Sequence, residues 1–283
     1  MEKKDLLIKL DEWLNELKYE EKSKRTLGLY KSNVLKFINW IPDNKELTKE
    51  MTIDYKDYLY ELDPKPKTSS INTWIVELNK FLKWLDLKDL TIKKFKQQMK
   101  TSNEEILTLT DYHRLLRFAK KLNLMHLYYL MKVLAMTGIR ISELRYFTVD
   151  NIKSNYIEAF NKGKERYIIL RQDLARELRK YQREQHIKSG PIFINPKTKK
   201  MYVESSIWRQ LKKVAGAARV NKNKVHAHSF RHLFAQIYLE ENKDDIAGLA
   251  DLMGHSRLDT TRIYTRTSNK QKKERLEQLK FTQ

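Results

Sequence analysis

The chain has 283 residues and no cysteine, which excludes disulfides, thiolate catalysis, iron–sulfur clusters and zinc sites with cysteine ligands. It also has no apolar run of about 18 residues or more, and Met1 does not begin a basic and then apolar leader. We therefore expect neither a membrane span nor secretion. Because the apolar residues recur in periodic runs, we expect a folded chain. Without a span, a leader or cysteine, we expect it to be cytoplasmic, with no membrane partner.

Acidic residues are scarce relative to basic ones. The chain has 57 lysines and arginines against 36 aspartates and glutamates, a formal net charge of +21. Residues 161–240 hold 19 basic and 6 acidic residues, whereas residues 1–100 hold 21 and 17. So large a local excess is typical of a surface that binds phosphates, so we expect a polyanionic partner, with nucleic acid favoured over an anionic membrane surface. A basic surface without a specific partner is the alternative.

The first 86 residues predict a domain of four amphipathic helices, because their apolar residues recur at spacings of three and four. Breaks at residues 42–44 and 64–66 separate the later helices, and Thr48 is the expected N-cap of the third. Residues 87–103 are rich in lysine and poor in apolar side chains. They predict a basic interdomain linker.

A second domain is predicted over residues 104–283. Thr110 is the expected N-cap of its first helix, and the apolar segment Met125–Met136 predicts a buried second helix. From Ser205 onward the apolar period is helical again.

Between these helical parts, the period becomes typical of strands. Residues 156–160 and 166–170 flank a turn that contains glycine, which predicts a β-hairpin, and Ile192–Ile194 predict a short third strand. The expected fold class is therefore mainly α with a small antiparallel β-sheet.

Four short segments contain residues suited to chemistry. In the first, Thr137–Leu144, a glycine ends the buried helix and Arg140 follows it, where a guanidinium can bind a phosphate. A structural ion pair between Arg140 and Glu143 is the alternative. The second is the hairpin turn, where Lys162 or Lys164 can donate a proton to a leaving oxygen, or can simply be solvated.

The third segment is His226–His232. Its spacing places His228 and Arg231 on one helical face, and places His232 there as well. A pair of histidines at this spacing suggests zinc, but the zinc hydrolases with this motif carry a glutamate next to the first histidine, where this chain has Ser229. We therefore predict no metal site. The fourth segment contains Gly254 and His255, followed by Tyr264 in a threonine-rich stretch.

Together these segments supply arginines, lysines, histidines and a tyrosine, with no carboxylate pair. Arginines stabilise the charge of a phosphodiester transition state, and an activated tyrosine is a competent oxygen nucleophile. Hydrolysis by carboxylates would normally require a metal ion. The set is typical of metal-free phosphoryl transfer through a phosphotyrosine.

In order and spacing, four stretches within these segments resemble the catalytic boxes of the tyrosine recombinases, the phage-integrase and Xer-type enzymes, and we number these boxes one to four along the chain. The matching stretches are TGIRISEL at 137–144, HSFRH at 228–232, MGH at 253–255 and TTRIYT at 260–265. The resemblance covers residues 101–283. Over residues 1–86 it is limited to a four-helix pattern like the SAM-like core-binding domain of the family.

The resemblance implies a role for each matching residue. Arg140 and Arg231 would bind the scissile phosphate, and Tyr264 would attack it to form a 3′-phosphotyrosyl bond and a free 5′-hydroxyl. His228 would transfer protons, and His255 would hydrogen-bond a non-bridging oxygen of the phosphate.

In the family, a hairpin lysine protonates the leaving 5′-hydroxyl, and an acidic residue follows the first arginine. The hairpin of this chain is one residue shorter than in many relatives and has Asn161 in place of a glycine. The family lysine precedes the glycine, so Lys162 is the expected acid and Lys164 the reserve. Glu143 matches the acidic residue and is expected to be structural.

The resemblance further implies double-stranded DNA as the partner, a homotetramer on DNA, and catalysis without ATP, metal or any other cofactor. The stretch Gln271–Phe281 is expected to dock on a neighbouring subunit or to pack on its own domain. Three alternatives remain: a type IB-like topoisomerase, a catalytically silent DNA-binding relative, and a metal nuclease.

Overall fold

The computed structural model describes residues 1–96, 106–161, 164–242 and 245–254. The chain divides into two compact units, Met1–Met99 and Lys100–Gln283. The described part is mainly helical and has one antiparallel pair of strands, β1 and β2. This agrees with the predicted fold class.

The first unit contains four helices: α1 (Lys3–Tyr19), α2 (Lys24–Trp40), α3 (Lys49–Glu61) and α4 (Thr68–Trp84). Thr48 caps α3 as predicted, because its hydroxyl accepts a hydrogen bond from the Met51 amide at 3.3 Å. The apolar stripes meet in one core, where the ring of Trp13 stacks on Tyr30 with centroids 5.4 Å apart.

Residues 88–96 pack on this first unit, although the sequence assigned them to the linker. Ile92 is buried in the core of the unit. The side chain of Asn79 exchanges two hydrogen bonds with the backbone of Ile92, and Asn72 does the same with Phe95. An asparagine side chain can accept a hydrogen bond from a backbone N–H and donate one to a backbone C=O. These two side chains therefore make the backbone hydrogen bonds that a neighbouring strand would otherwise provide.

The helices of the second unit surround α6, whose residues are mostly buried. They are α5 (Leu109–Lys121), α6 (Met125–Thr137), α7 (Gln172–Glu184), α8 (Glu204–Ala217), α9 (Ala227–Glu241) and α10 (Ile246–Met253). The predicted cap of α5 was wrong by two residues. Thr108 is the N-cap, because it forms a reciprocal capping box with Asp111.

The hairpin formed by β1 (Tyr156–Asn161) and β2 (Lys164–Ile169) confirms the predicted one. The predicted third strand was wrong, since Ile192–Ile194 form no strand and only isolated bridges at Pro191 and Ile194 occur there. Ile192 and Phe193 are both buried, so the segment lacks the alternation of a strand with one solvated face.

No helix in the described ranges is long and apolar enough to cross a membrane.

Candidate active site

The first box lies at a sharp turn after α6. Gly138 ends the helix with a φ of 60°, and a Cβ atom there would lie 2.4 Å from the ring of Phe234. Only glycine fits this position without strain. The turn places Arg140 at the start of a 3₁₀ segment, Ile141–Tyr146, with 39 % of its side chain exposed.

The second box forms the start of α9. His226 is the N-cap residue, and its Nδ1 accepts a hydrogen bond from the amide of Ser229 at 3.2 Å. His228 and Arg231 lie on the first turns of this helix. Arg231 is only 1 % exposed, and its guanidinium donates to the carbonyl oxygens of Gly138 and Met253. It therefore ties the end of α6 to the end of α10.

The end of α10 is bound by three arginines. The Nη1 of Arg166 donates to the carbonyl oxygen of Leu252 at 2.7 Å, and the Nη2 of Arg231 to that of Met253 at 2.9 Å. The Nη2 of Arg140 lies 3.5 Å from the carbonyl oxygen of Gly254. Cations stabilise the carbonyl end of a helix because its partial charge is negative. The backbone before position 255 is thus fixed by the guanidinium groups of Arg166 and Arg231, with that of Arg140 close by.

Glu143 interacts with two of these arginines, Arg140 and Arg166. Its carboxylate accepts from the backbone amide of Arg140 at 2.8 Å and from the Nη2 of Arg166 at 2.6 Å, and it lies 3.6 Å from the Nη1 of Arg140. Burial alone would raise the pKa of Glu143, but Arg166 and the Arg140 amide outweigh it and lower the pKa below its usual value. Glu143 is therefore ionised at neutral pH, and the structural pair with Arg140 that the sequence allowed is present.

Arg166 is the site residue that the sequence interpretation missed. It lies on β2 opposite Ala159, and Ala159 and Ile168 are buried whereas Tyr167 and Ile169 are exposed. Alternation along a strand would have placed Arg166 on the inner face with Ile168. That pattern was the signal, because a charged residue on the buried face of a strand requires a partner.

Three predicted site residues, Lys162, His255 and Tyr264, lie outside the described residues, and so does the stretch Gln271–Phe281. The side chain of Lys164 is likewise not described. Of the six predicted residues, Arg140, His228 and Arg231 are described, and the two arginines meet at the end of α10.

Two family models match the chain. The phage integrase family matches residues 105–271, and the N-terminal SAM-like domain of phage integrases matches residues 10–88. The chain belongs to the phage integrase family. It is a tyrosine recombinase, as the curated relatives are. XerA of Pyrococcus furiosus is 28 % identical over 95 % of this chain and 92 % of its own length, and XerD of Listeria monocytogenes is 26 % identical over 86 % and 88 %.

Solved structures share the fold of this recombinase. A lambda integrase fragment, crystallised as a dimer bound to a COC′ core site, has a TM-score of 0.74 at 16 % identity and covers 92 % of this chain and 95 % of its own. The XerA recombinase has a TM-score of 0.53 at 23 % identity, covering 98 % and 100 %.

In the described ranges of this recombinase, no three histidine, aspartate or glutamate side chains come together as metal ligands would. The rings of His228 and His232 are 4.8 Å apart and nearly perpendicular. Burial lowers the pKa of His228 below its ordinary value, and the positive charges of Arg231 and Arg140 and the His226 ring lower it further. Burial also lowers the pKa of His232 to about 4. Both rings are therefore neutral at pH 7.

We expect the neutral histidines to make stability depend on pH. A histidine whose pKa is depressed in the folded state contributes stability that is present above its unfolded value of 6.5 and is lost as pH falls towards the folded value. The free energy of unfolding should thus fall between pH 6.5 and about 4, with a slope of at most about 1.4 kcal/mol per pH unit from His232. Urea unfolding at several pH values measures this slope. His232→Gln should flatten it, and an equal slope in the variant would contradict the assignment.

We also expect Gly254→Ala to disable the site. Gly254 has a φ of 63°, and a Cβ there would lie 2.4 Å from the Cδ of Arg166. The methyl group would displace either Arg166 or the backbone that leads to position 255, and a shift of about 1 Å near reacting groups costs about 100-fold in rate. A single-turnover DNA cleavage assay measures the effect.

Gly190→Ala is the matched control for this substitution. Gly190 also has a positive φ, 74°, but nothing lies within 4 Å of its added Cβ. Both variants should lose about 1–2 kcal/mol of stability from the left-handed backbone. Only Gly254→Ala should lose cleavage activity. Equal losses of cleavage rate in both variants would mean that backbone strain alone is responsible.

Proposed function

We propose that this recombinase cleaves and rejoins duplex DNA at specific sites through a 3′-phosphotyrosyl bond to Tyr264, without ATP or metal. The observation that supports the proposal best is the convergence of Arg140 and Arg231 at the end of α10, directly before His255. Three boxes that are distant in sequence meet there, with two positive charges at the backbone of Met253 and Gly254.

The arginines play different parts in the proposed reaction. The side chain of Arg140 is partly exposed, so its guanidinium can move onto a phosphate oxygen. Arg231 is buried and held by two carbonyl groups, so it supplies a preorganised charge that need not reorient when negative charge develops.

His228 is suited to proton transfer because it is neutral at pH 7. Its lowered pKa leaves the imidazole able to accept a proton as the phenol of Tyr264 attacks and to return it during religation. On the sequence pattern we assign His255 to a non-bridging oxygen, and Lys162 to protonation of the leaving 5′-oxygen, which departs as the free 5′-hydroxyl, with Lys164 as the reserve.

We further propose that the chain acts in the cytoplasm as a homotetramer on double-stranded DNA. Its net charge of +21 supports an anionic partner, and a lambda integrase structure with a TM-score of 0.74 is a tetramer bound to a Holliday junction. Residues 1–86 would form the core-binding domain together with residues 88–96, which pack on it, the rest of residues 87–103 the linker, and residues 104–283 the catalytic domain. The family-model matches at residues 10–88 and 105–271 support this division.

Covalent trapping tests the reaction. The protein is incubated with supercoiled plasmid in EDTA and then denatured, and the DNA-linked peptide is hydrolysed to identify the phosphoamino acid. We expect phosphotyrosine on the 3′ ends and free 5′-hydroxyl ends. Nicks that carry 5′-phosphates and no adduct, formed only when metal is added, would instead identify a nuclease. Adducts and relaxed topoisomers that never yield recombinant junctions from paired sites would indicate a topoisomerase.

A further inference from the structure

The environment of Glu143 raises an electrostatic problem for the proposed phosphate site. Glu143 is 1 % exposed and ionised, and its carboxylate lies next to Arg140, whose charge the phosphate needs. A buried carboxylate requires a cationic partner, and its negative charge offsets the charge of that partner. If Arg140 is to keep its positive charge for the phosphate, another cation must balance Glu143.

We propose that Arg166 is a positioning residue that neutralises Glu143, so that the Arg140 guanidinium keeps its charge for the DNA phosphate. This inference rests on the proposed function, in which Arg140 binds the scissile phosphate. Arg166 itself acts through Glu143 and Arg140 and touches no reacting atom.

The distances support this division of labour. Arg166 makes a charge-assisted hydrogen bond of 2.6 Å to Oε2 of Glu143, whereas the nearest guanidinium nitrogen of Arg140 stays 3.6 Å from Oε1. Arg140 hydrogen-bonds the carboxylate through its backbone amide, at 2.8 Å, and not through its guanidinium. Glu143 thus fixes the main chain of Arg140 and takes its countercharge mainly from Arg166.

The exposures point the same way. The side chain of Arg166 is 11 % exposed and that of Arg140 is 39 % exposed. Arg166 is also held in place by its 2.7 Å bond to the carbonyl oxygen of Leu252. It is thus fixed against the carboxylate, while the partly exposed Arg140 guanidinium has room to move. Without Arg166, Glu143 would draw that guanidinium inward, because the group formed by Arg140, Glu143 and Arg166 would change from a net charge of +1 to zero.

A double-mutant cycle tests the proposal in the 283-residue chain on a nicked duplex that traps the covalent intermediate. Arg166→Gln should slow single-turnover cleavage by about 10- to 100-fold, the range expected for coupled charges in contact. Arg166→Gln combined with Glu143→Gln should recover to within a few-fold of Glu143→Gln alone, because the carboxylate that captures Arg140 is gone. Arg166→Lys, which keeps the charge, should retain more activity than Arg166→Gln.

A second cycle shows whether the effect passes through Arg140. In an Arg140→Ala background, Arg166→Gln should cause no further loss of cleavage. If the two losses multiply instead, or if Glu143→Gln fails to rescue Arg166→Gln, then Arg166 acts only by holding Leu252 and the inference is wrong. If wild-type protein forms no adduct, or Arg140→Ala cleaves normally, the proposed function itself fails.

Arg179→Gln serves as the structural control. Arg179 also donates to a backbone carbonyl oxygen, that of Ile152 at 3.0 Å, and its loss removes the same charge from the same unit. It should leave the cleavage rate of bound, folded protein within about two-fold of wild type, since substitutions at residues without shared partners act independently. Thermal unfolding and DNA binding are measured for every variant.

Discussion

Replacing Tyr264 by phenylalanine is expected to abolish the protein–DNA adduct and to leave DNA binding unchanged. The substitution removes one oxygen atom, the proposed nucleophile, and the four boxes contain no second tyrosine. Loss of the nucleophile removes the covalent route completely, so cleavage should fall by at least about 1,000-fold, as for other enzymes that lose a nucleophile. Denaturing gels of end-labelled nicked duplex measure the adduct.

Tyr156→Phe is the matched control, because Tyr156 is 59 % exposed on β1 of the same unit. It should form adducts at the wild-type rate. If Tyr264→Phe still formed phosphotyrosine adducts, another tyrosine would be the nucleophile, and the assignment of the fourth box would be wrong. Filter binding at several salt concentrations shows whether both variants still bind DNA, and binding should weaken steeply with salt because phosphate contacts release counterions.

The helices of the first unit could be predicted from the sequence because each buries one apolar stripe. In α1 to α4 the spacing of the apolar residues matches the face of each helix that is buried. The N-caps depend on hydrogen bonds between residues close in sequence, as at Thr48. The error at α5 has a local cause as well. Thr108 and Thr110 both resemble caps, and only Thr108 has an acidic residue, Asp111, at the third helical position.

The third strand was mispredicted because a short apolar run reports burial and not hydrogen bonding. Residues 192–194 are apolar because they contact the core, and the amide of Ile192 pairs with the carbonyl of Phe147 in place of a strand partner. Such pairing depends on residues more than 40 positions away. Periodicity within the segment carries no information about it.

For the part of the site that the structure describes, the sequence indicated three residues but not the network that holds them. The residue types of Arg140, His228 and Arg231 follow from their boxes. The bonds that hold them do not, because Arg166 and Leu252 are 86 positions apart, and Arg140 and Gly254 are 114 apart. The partners at the end of α10 are backbone carbonyls, which every residue has, so no sequence pattern marks them.

Because Arg231 is buried and hydrogen-bonded to two carbonyl groups, we expect its replacement to reduce both cleavage and stability. We expect Arg231→Ala to reduce cleavage by about 1,000-fold, in line with the loss of one preorganised donor at a developing negative charge. It should also destabilise the second unit, because the carbonyl groups of Gly138 and Met253 lose their partner, at about 1–3 kcal/mol for each buried group. Single-turnover cleavage and chemical unfolding measure the two losses separately.

Arg114→Ala distinguishes the catalytic loss from the structural one. Arg114 also donates to two backbone carbonyl groups of the same unit, those of Ala218 at 2.7 Å and Arg219 at 3.2 Å. Both variants should unfold at lower denaturant concentration, whereas cleavage by the folded fraction should fall only for Arg231→Ala. The buried guanidinium of Arg231 both joins α6 to α10 and supplies charge to the proposed phosphate site. Arg231→Lys should therefore recover part of the cleavage rate that Arg231→Ala loses, because it restores the charge. Equal rates for lysine and alanine at position 231 would mean that the two carbonyl bonds, and not the charge, account for the effect on cleavage.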